Sequence, residues 1–383
     1  MGMTKIVLVD QEMPHYRAQV LSALQESLSA ELVVYSPPNW EWQHFLEPGG
    51  DDIRFQHKRI KAKWFPRKKL LWLNYFKILA KEGRPDILIL RHWVRHPLLI
   101  PFLFWCRIRG IRVVVWGQGF SRNRSFRPYC NVFDALNLLI VKLGRAYVGY
   151  SDAVIEALAR YEKREKLFVA RNTLNLKPLD SIIEELESEG KASVKQRIGL
   201  DRADYLIFVG RLQKRKRVDF LIAAFLEIVK AKHDVGLLIV GDGPEREDLK
   251  KHIEGSGSND IRLLGAMDFR ESSPYLFCSD VMVIPGWLGL AVNHGFRFGL
   301  PVVTCAGNDN GTGHPPEIEW LQDGVNGKVS KSETPVEFGR DILEALRERK
   351  TLGHNAREFY EKNLSAERMI EGFKCAIDYA SRT

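Results

Sequence analysis

The sequence offers little for covalent cross-linking. Its five cysteines, Cys106, Cys130, Cys278, Cys305 and Cys375, are odd in number, scattered and without C-x-x-C spacing. That argues against a disulfide framework or a zinc ribbon and for a reducing compartment. Long hydrophobic runs are also missing. The longest beside a basic flank, PLLIPFLFWC from Pro97 to Cys106, falls short of the roughly 20 residues a bilayer-spanning helix needs. No signal-peptide h-region precedes the first strand candidate in MGMTKIVLVD, so the expected place is cytoplasmic, with a peripheral position on the inner face of the cell membrane as a further expectation. No two aspartates have D-x-D spacing, which leaves a metal-bridged diphosphate without obvious ligands, and no metal is expected. Low-complexity stretches and short-period repeats are absent as well.

What is there is length, alternation and an uneven charge. A chain of 383 residues exceeds what one core usually organises, so two domains are expected. The net charge of +9 is divided unequally: residues 1–175 hold 28 Lys and Arg against 15 Asp and Glu, and residues 176–383 hold 29 against 33. The first part therefore suits an anionic surface. Apolar strand candidates alternate with amphipathic helical segments throughout. They fall at 5–9, 31–35, 86–90, 111–116, 146–150 and 166–170, then at 205–210, 235–241, 261–265, 280–285 and 301–305. This alternation predicts an α/β protein with parallel sheets. Polar residues 172–193 separate the two series and form the hinge candidate. Two doubly wound, Rossmann-like domains facing a cleft follow, because ligands sit beyond the carboxyl ends of parallel strands.

Three segments suggest chemistry. In YLIFVGRLQKRKRVDF a strand ends at Val209–Gly210, Arg211 and Lys216 project from the loop, and a helix follows. Cations beside a helix N-terminus are what a diphosphate needs, and on spacing alone a solvated basic loop explains the segment equally well. LLIVGDGPEREDL places a Gly241-Asp242-Gly243-Pro244 turn between a buried strand and a charged helix, the form of any ordinary βα turn. PGWLGLAVNHGFRFGLPVV, from Pro285 to Val303, is a glycine-containing loop suited to bringing backbone amides to a phosphate, and it carries no carboxylate.

Taken together and in order, VGRLQKRK, LLIVGDGPEREDL, IRLLGAM, SDVMVIPGWLGLAV, GLPVV and PPEIEWLQDGVNG, from about 205 to 330, resemble the family 4 nucleotide-sugar glycosyltransferases of the GT-B fold. PHYR (14–17), WGQGFSR (116–122) and RNTLN (171–175) are softer echoes in the first part. The resemblance implies an acceptor-binding domain over 1–175, a nucleotide-sugar domain over 176–365 and a final helix, 366–383, that packs back on the first domain. It implies that Arg211 and Lys216 grip the donor diphosphate beside Gly210. Asp242 and Gly243 line the donor side, Leu264 and Gly265 meet the base, and Gly289 and Leu290 offer amides to the distal phosphate. Glu317 takes the position of the family's G-x-P-E glutamate. Arg17, Gln118 and Arg122 stand on the acceptor side.

The sequence also departs from the family. Where the pattern has two glutamates eight positions apart, this chain has Gly286 and His294, and Gln118 replaces an N-terminal-domain histidine. His294 keeps the ability to hydrogen-bond a ribose. Asp309, Glu317 and Glu319 are the acids at hand in the next loop. The expected activity is retaining, metal-independent transfer of a sugar from a nucleotide-diphosphate donor, UDP- or GDP-linked, with no cofactor. The acceptor is a glycan or lipid-linked glycan in bacterial-type surface polysaccharide synthesis. A non-catalytic sugar-nucleotide-binding or membrane scaffold with a degenerate donor site is the alternative.

Residues 57–77 interleave Lys58, Arg59, Lys61, Lys63, Arg67, Lys68 and Lys69 with Trp64, Phe65, Trp72, Tyr75 and Phe76. That composition suits an anionic membrane surface better than nucleic acid, for which no motif is present. The similar segment 91–109 reads better as a sheet-covering helix with its aromatics in the core.

Overall fold

The computed structural model describes residues 4–38, 49, 53–65, 70–120, 125–307, 314–331 and 334–382. Arg67, Lys68, Lys69, Arg122 and Asp309 lie outside the described residues. The chain forms two compact units, Met1–Asn175 with Ser365–Thr383, and Leu176–Leu364.

The first unit begins with β1 (Thr4–Val9), α1 (His15–Ser27), β2 (Ala30–Ser36), β3 (Gln56–Arg59), β4 (Ala62–Phe65), β5 (Leu70–Leu73) and α2 (Tyr75–Glu82). It continues with β6 (Ile87–Arg91), α3 (Leu99–Ile108), β7 (Val113–Gly117), α4 (Val132–Leu143), β8 (Ala146–Gly149), α5 (Asp152–Ala159) and β9 (Leu167–Val169). Seven strands pair in parallel in the order β3-β2-β1-β6-β7-β8-β9, while β4 and β5 form a separate antiparallel hairpin. The inner strands are apolar on both faces, as a sheet covered on both sides requires.

The second unit contains α6 (Asp180–Glu189), α7 (Lys191–Arg197), β10 (Asp204–Val209), α8 (Val218–Ala231), β11 (Val235–Val240), α9 (Arg246–Ser256) and β12 (Ile261–Gly265). After these come α10 (Phe269–Cys278), β13 (Val281–Val283), α11 (Ala291–Arg297), β14 (Val302–Cys305), β15 (Gly327–Ser330), α12 (Pro335–Arg347) and α13 (Arg349–Asn363). Its parallel sheet has the order β12-β11-β10-β13-β14-β15. The order reverses direction between β10 and β13, and in the first sheet between β1 and β6. Such switch points open a crevice at the carboxyl ends of the strands. The last helix, α14 (Ala366–Arg382), belongs to the first unit. Phe373 meets the Trp116 ring edge-on at 5.0 Å, and a Cβ on Gly372 would stand 2.1 Å from the Val169 carbonyl.

All eleven expected strands are present, but four others lacked a legible pattern. The clearest is β3, whose sequence Gln-His-Lys-Arg contains no apolar residue. It forms because an edge strand needs only one ladder. Its backbone pairs with β2, His57 Nε2 meets Ser36 Oγ at 2.9 Å, and Lys58 reaches Glu82 at 2.6 Å. Charged side chains on such an edge also discourage further pairing. The boundary between the units, Asn175/Leu176, falls inside the hinge candidate 172–193. From Asp180 that stretch is helical, with Ile182, Ile183 and Leu186 buried, because those positions recur at helical spacing within an otherwise polar segment.

Candidate active site

In the second unit, the loops that follow β10, β11, β12 and β13 are tied to one another. Leu212 is fully buried and anchors the first of them: its N–H donates to the Asp242 carbonyl at 2.9 Å, and its own carbonyl accepts from Glu245 N–H at 3.2 Å. Arg211, one residue before, is thereby left exposed at the end of the strand. Gly241 donates to the Gly265 carbonyl at 2.7 Å, and a Cβ at Gly241 would lie 1.9 Å from the Gly210 oxygen. Only glycine fits between these two loops. Asp242 is exposed and accepts from Gly243 N–H at 2.7 Å, while Leu264 and Gly265 end β12 beside them.

Beyond Leu212, a 3-10 turn at Lys214–Lys216 leads into α8 through Arg217, which holds φ 55° and ψ 43°. Among the described residues it alone is a non-glycine with positive φ. A backbone in that region costs of order 1 kcal/mol or more and persists where its surroundings enforce it. Here two hydrogen bonds run from the loop after β13: Gly286 N–H donates to the Lys216 carbonyl at 3.2 Å and Trp287 N–H to the Arg215 carbonyl at 2.8 Å. The Arg215 guanidinium lies 5.0 Å over the Trp287 ring. A Cβ at Gly286 would come within 2.1 Å of the Arg215 oxygen. The missing glutamate at 286 thus has a steric cause: the two loops close on each other where its side chain would begin.

This closure buries Lys216. Its Nζ donates to the carbonyls of Trp287 at 2.6 Å and Leu288 at 3.0 Å, and lies 3.5 Å from where a Gly289 Cβ would be. Burial, reinforced by Arg215, pushes the ammonium down to about 8, with Glu317 acting in the opposite direction. Glu317 is itself buried, on a 3-10 turn at Pro316–Trp320. His314, not singled out in the sequence, belongs to the same cluster: Nε2 meets the Cys305 carbonyl at 2.6 Å, and burial together with Lys216 lowers its proton affinity. Two prolines separate it from Glu317, which was the available signal. Leu290 is the N-cap residue of α11, and His294 on that helix is buried 4.6 Å from the Phe269 ring. Burial pushes His294 down to about 4, so it is neutral at ordinary pH, and its Nδ1 has no hydrogen-bond partner among the described residues. These residues form no three-membered His, Cys, Asp or Glu cluster of the kind that holds a metal, among the described residues.

In the first unit, Arg17 is drawn inside rather than displayed. Its Nη1 lies 3.0 Å from Asp10 and 3.6 Å from Glu12, and its guanidinium stands 5.5 Å over the Trp116 ring. Arg91 completes the group, 4.0 Å from Asp10, bonded to the Tyr150 hydroxyl and 4.6 Å over the same Trp116 ring. Asp10 follows β1 and Arg91 ends β6 at the switch point, a pairing that only the sheet order brings about. Gln118 is exposed after β7 and lines a cavity of about 350 Å³ with His92, Trp93, Arg95, Phe120 and Asn137 among its walls.

The basic-aromatic segment divides by the pleat of β4 and β5 and by the faces of α2. Phe65, Trp72 and Phe76 face outward, with Lys63 Nζ 5.3 Å over the Phe65 ring. Tyr75 instead turns into the core and bonds His96 Nδ1 at 2.6 Å. The inner face of α3 is buried as expected through Leu99, Phe102, Leu103 and Cys106, yet its outer face exposes Phe104 and Ile108, the latter to 83%. No helix among the described residues is long and apolar enough to cross a membrane.

Residues 203–348, within the second unit, match the family described as "Glycosyl transferases group 1". Over 380 residues the chain is 28% identical to a glycosyltransferase of Methanocaldococcus jannaschii, covering 92% of this chain and 90% of that one. It is 29% identical to the alpha-D-kanosaminyltransferase of Streptomyces kanamyceticus, covering 60% of this chain and 59% of the other. The crystal structure of Anabaena HepE in complex with UDP superimposes with a TM-score of 0.70 at 14% identity, covering 98% of this chain and all of that one. Two Rossmann-like units, the site at the switch-point ends of the second sheet and these likenesses agree: the chain is a glycosyltransferase of the GT-B fold, similar to those of the family 4 type.

Proposed function

We propose that the protein is a retaining, metal-independent glycosyltransferase. Its second unit takes a UDP- or GDP-linked sugar, and its first unit presents a glycan or lipid-linked glycan acceptor for surface polysaccharide synthesis. The observation that carries this reading is Lys216: a buried cation with its proton affinity depressed, held by two carbonyls beside Gly289. A diphosphate arriving there restores the charge that burial disfavours, and the preset ammonium then stabilises the leaving diphosphate as the glycosidic bond breaks. Arg211 reaches the same anion from solvent. Leu264 and Gly265 meet the base, and His294 stands at the ribose position that the resemblance implies. The UDP complex of Anabaena HepE supports a uridine donor.

Gly286 has no side chain to act as a base, and burial leaves His294 with little affinity for a proton. The departing phosphate oxygen takes the proton of the acceptor hydroxyl on the same face, giving retention. Glu317, whose charge acts on Lys216, is the acid assigned to the sugar side. The outward Phe65, Trp72 and Phe76 with Lys63 would rest on anionic lipid and bring a lipid-linked acceptor within reach.

Thermal shift with UDP, GDP, ADP, dTDP and CMP tests the donor assignment. A ligand at a hundred times its Kd adds about 2.7 kcal/mol to stability. One diphosphate should stabilise the protein and Arg211→Ala should weaken that response. Proton NMR of the transfer product should then show the donor's anomeric configuration kept, with turnover unchanged by EDTA. No response to any nucleotide would favour the scaffold reading, and an inverted product would refute retention.

A further inference from the structure

The cavity in the first unit is lined unlike a site for a charged group. Trp93, Phe120 and Phe133 form apolar walls, and the two charged linings, Arg95 and Asp134, have opposite signs. At its floor, His92 has both ring nitrogens engaged, Nδ1 with the Tyr147 hydroxyl and Nε2 with Asn137 Oδ1, each at 3.1 Å. Burial pushes this imidazole down to about 4, so the floor is neutral. Neutral polar groups under aromatic walls suit a pyranose, whose C–H faces stack on rings while its hydroxyls take hydrogen bonds.

The aromatic lining does not stop at the cavity. Phe120 stacks on Phe126 at 4.2 Å, Phe126 meets Tyr161 at 5.6 Å, and Tyr161 meets Tyr129 at 5.7 Å. At the outer end Tyr129, Val132 and Phe133 are 82%, 73% and 58% exposed. Exposed apolar side chains beside a sugar-sized cavity call for an apolar ligand segment.

We propose that this cavity and its aromatic track form the acceptor subsite, and that the acceptor is an uncharged glycoside with an apolar aglycone lying along Phe133, Val132 and Tyr129. This rests on the reading that the first unit receives the acceptor. It adds that the aglycone is recognised by this unit itself, at residues other than those exposed on β4, β5 and α3.

The test compares octyl with methyl glycosides of glucose, galactose and mannose, below the octyl micelle concentration, by saturation-transfer NMR on the full chain. The expected result is at least one octyl glycoside binding about tenfold or more tightly than its methyl partner, as burial of two methylenes gives. Val132→Asn with Phe133→Ser should erase that preference, whereas Phe104→Ser with Ile108→Ser on α3 should preserve it. Equal binding of octyl and methyl forms, no binding of any glycoside, or loss of the preference in the α3 variant alone overturns the proposal. UDP thermal shift is recorded on every variant. It reports folding, and its absence in the wild type would count against the donor reading while the glycoside comparison still judges the cavity.

Discussion

At its switch point the first unit encloses two guanidinium groups, Arg17 and Arg91, with Asp10, Glu12 and the Tyr150 hydroxyl around them. At the corresponding end of the second unit, Lys216 is enclosed with carbonyl oxygens as its hydrogen-bond partners. Both environments are buried, and their effects differ. Burial works against the Arg17 charge, but Asp10 leads the groups that outweigh it and hold that guanidinium well above its ordinary value. Burial also works against Lys216, and there the nearby Arg215 adds to the penalty while Glu317 offsets only part. A buried cation with its own carboxylates is part of the fold. One left short of negative charge is prepared for an anion that comes and goes.

The largest effect should separate the two cations directly. Asp10→Ala strands two buried guanidiniums and should cost about 3–5 kcal/mol in denaturant unfolding. Lys216→Met should change stability by less than about 1 kcal/mol, since it removes a desolvated charge and leaves two carbonyls short of a donor. Equal costs would erase the contrast. Next in size is Gly286→Glu, which restores the family's acid but places a Cβ against the Arg215 oxygen. It should lower stability by about 1–3 kcal/mol through overpacking and weaken UDP binding at least tenfold. Tighter donor binding in that variant would mean the loops can part.

Smaller and graded is the effect of pH. Lys216 is charged below about 8, so UDP affinity should be full there and decline as pH rises through that value. Over the same range, up to the ordinary lysine value of about 10.4, the unfolded chain keeps a proton that the fold has released, so the free protein should gain stability as pH rises. Lys216→Met should flatten both curves in that window. The smallest effect is expected at the surface: Trp72→Ser with Phe76→Ser should reduce co-sedimentation with anionic vesicles several-fold and leave UDP binding alone. Unchanged sedimentation would move the membrane contact elsewhere.

How much of this was legible in the sequence follows from the physics of each part. Strands such as β10 and β11 are apolar throughout and announce themselves, as do the glycine turns that end them. The edge strand β3 has no pattern because its stability comes from Ser36 and Glu82, far away in sequence. Among the candidate site residues, spacing singles out Arg211 and Lys216 as cations beside a helix start, but it does not show the difference between them, because exposure of one and burial of the other depends on where Leu212 and Gly286 anchor the loop. The Asp10–Arg17–Arg91 group needed the sheet order, which brings together strands some eighty residues apart. His314 and the cavity around His92 likewise required the fold.

The central claim is that Lys216 awaits the donor diphosphate, and calorimetry of UDP binding at pH 8.5 in two buffers of different ionisation enthalpy addresses it most directly. The account predicts net uptake of a fraction of a proton on binding by the wild type, and an affinity at least about a hundredfold lower without that uptake in Lys216→Met, in line with loss of a buried charge–charge contact. Equal affinity and equal proton uptake in the two proteins would contradict it.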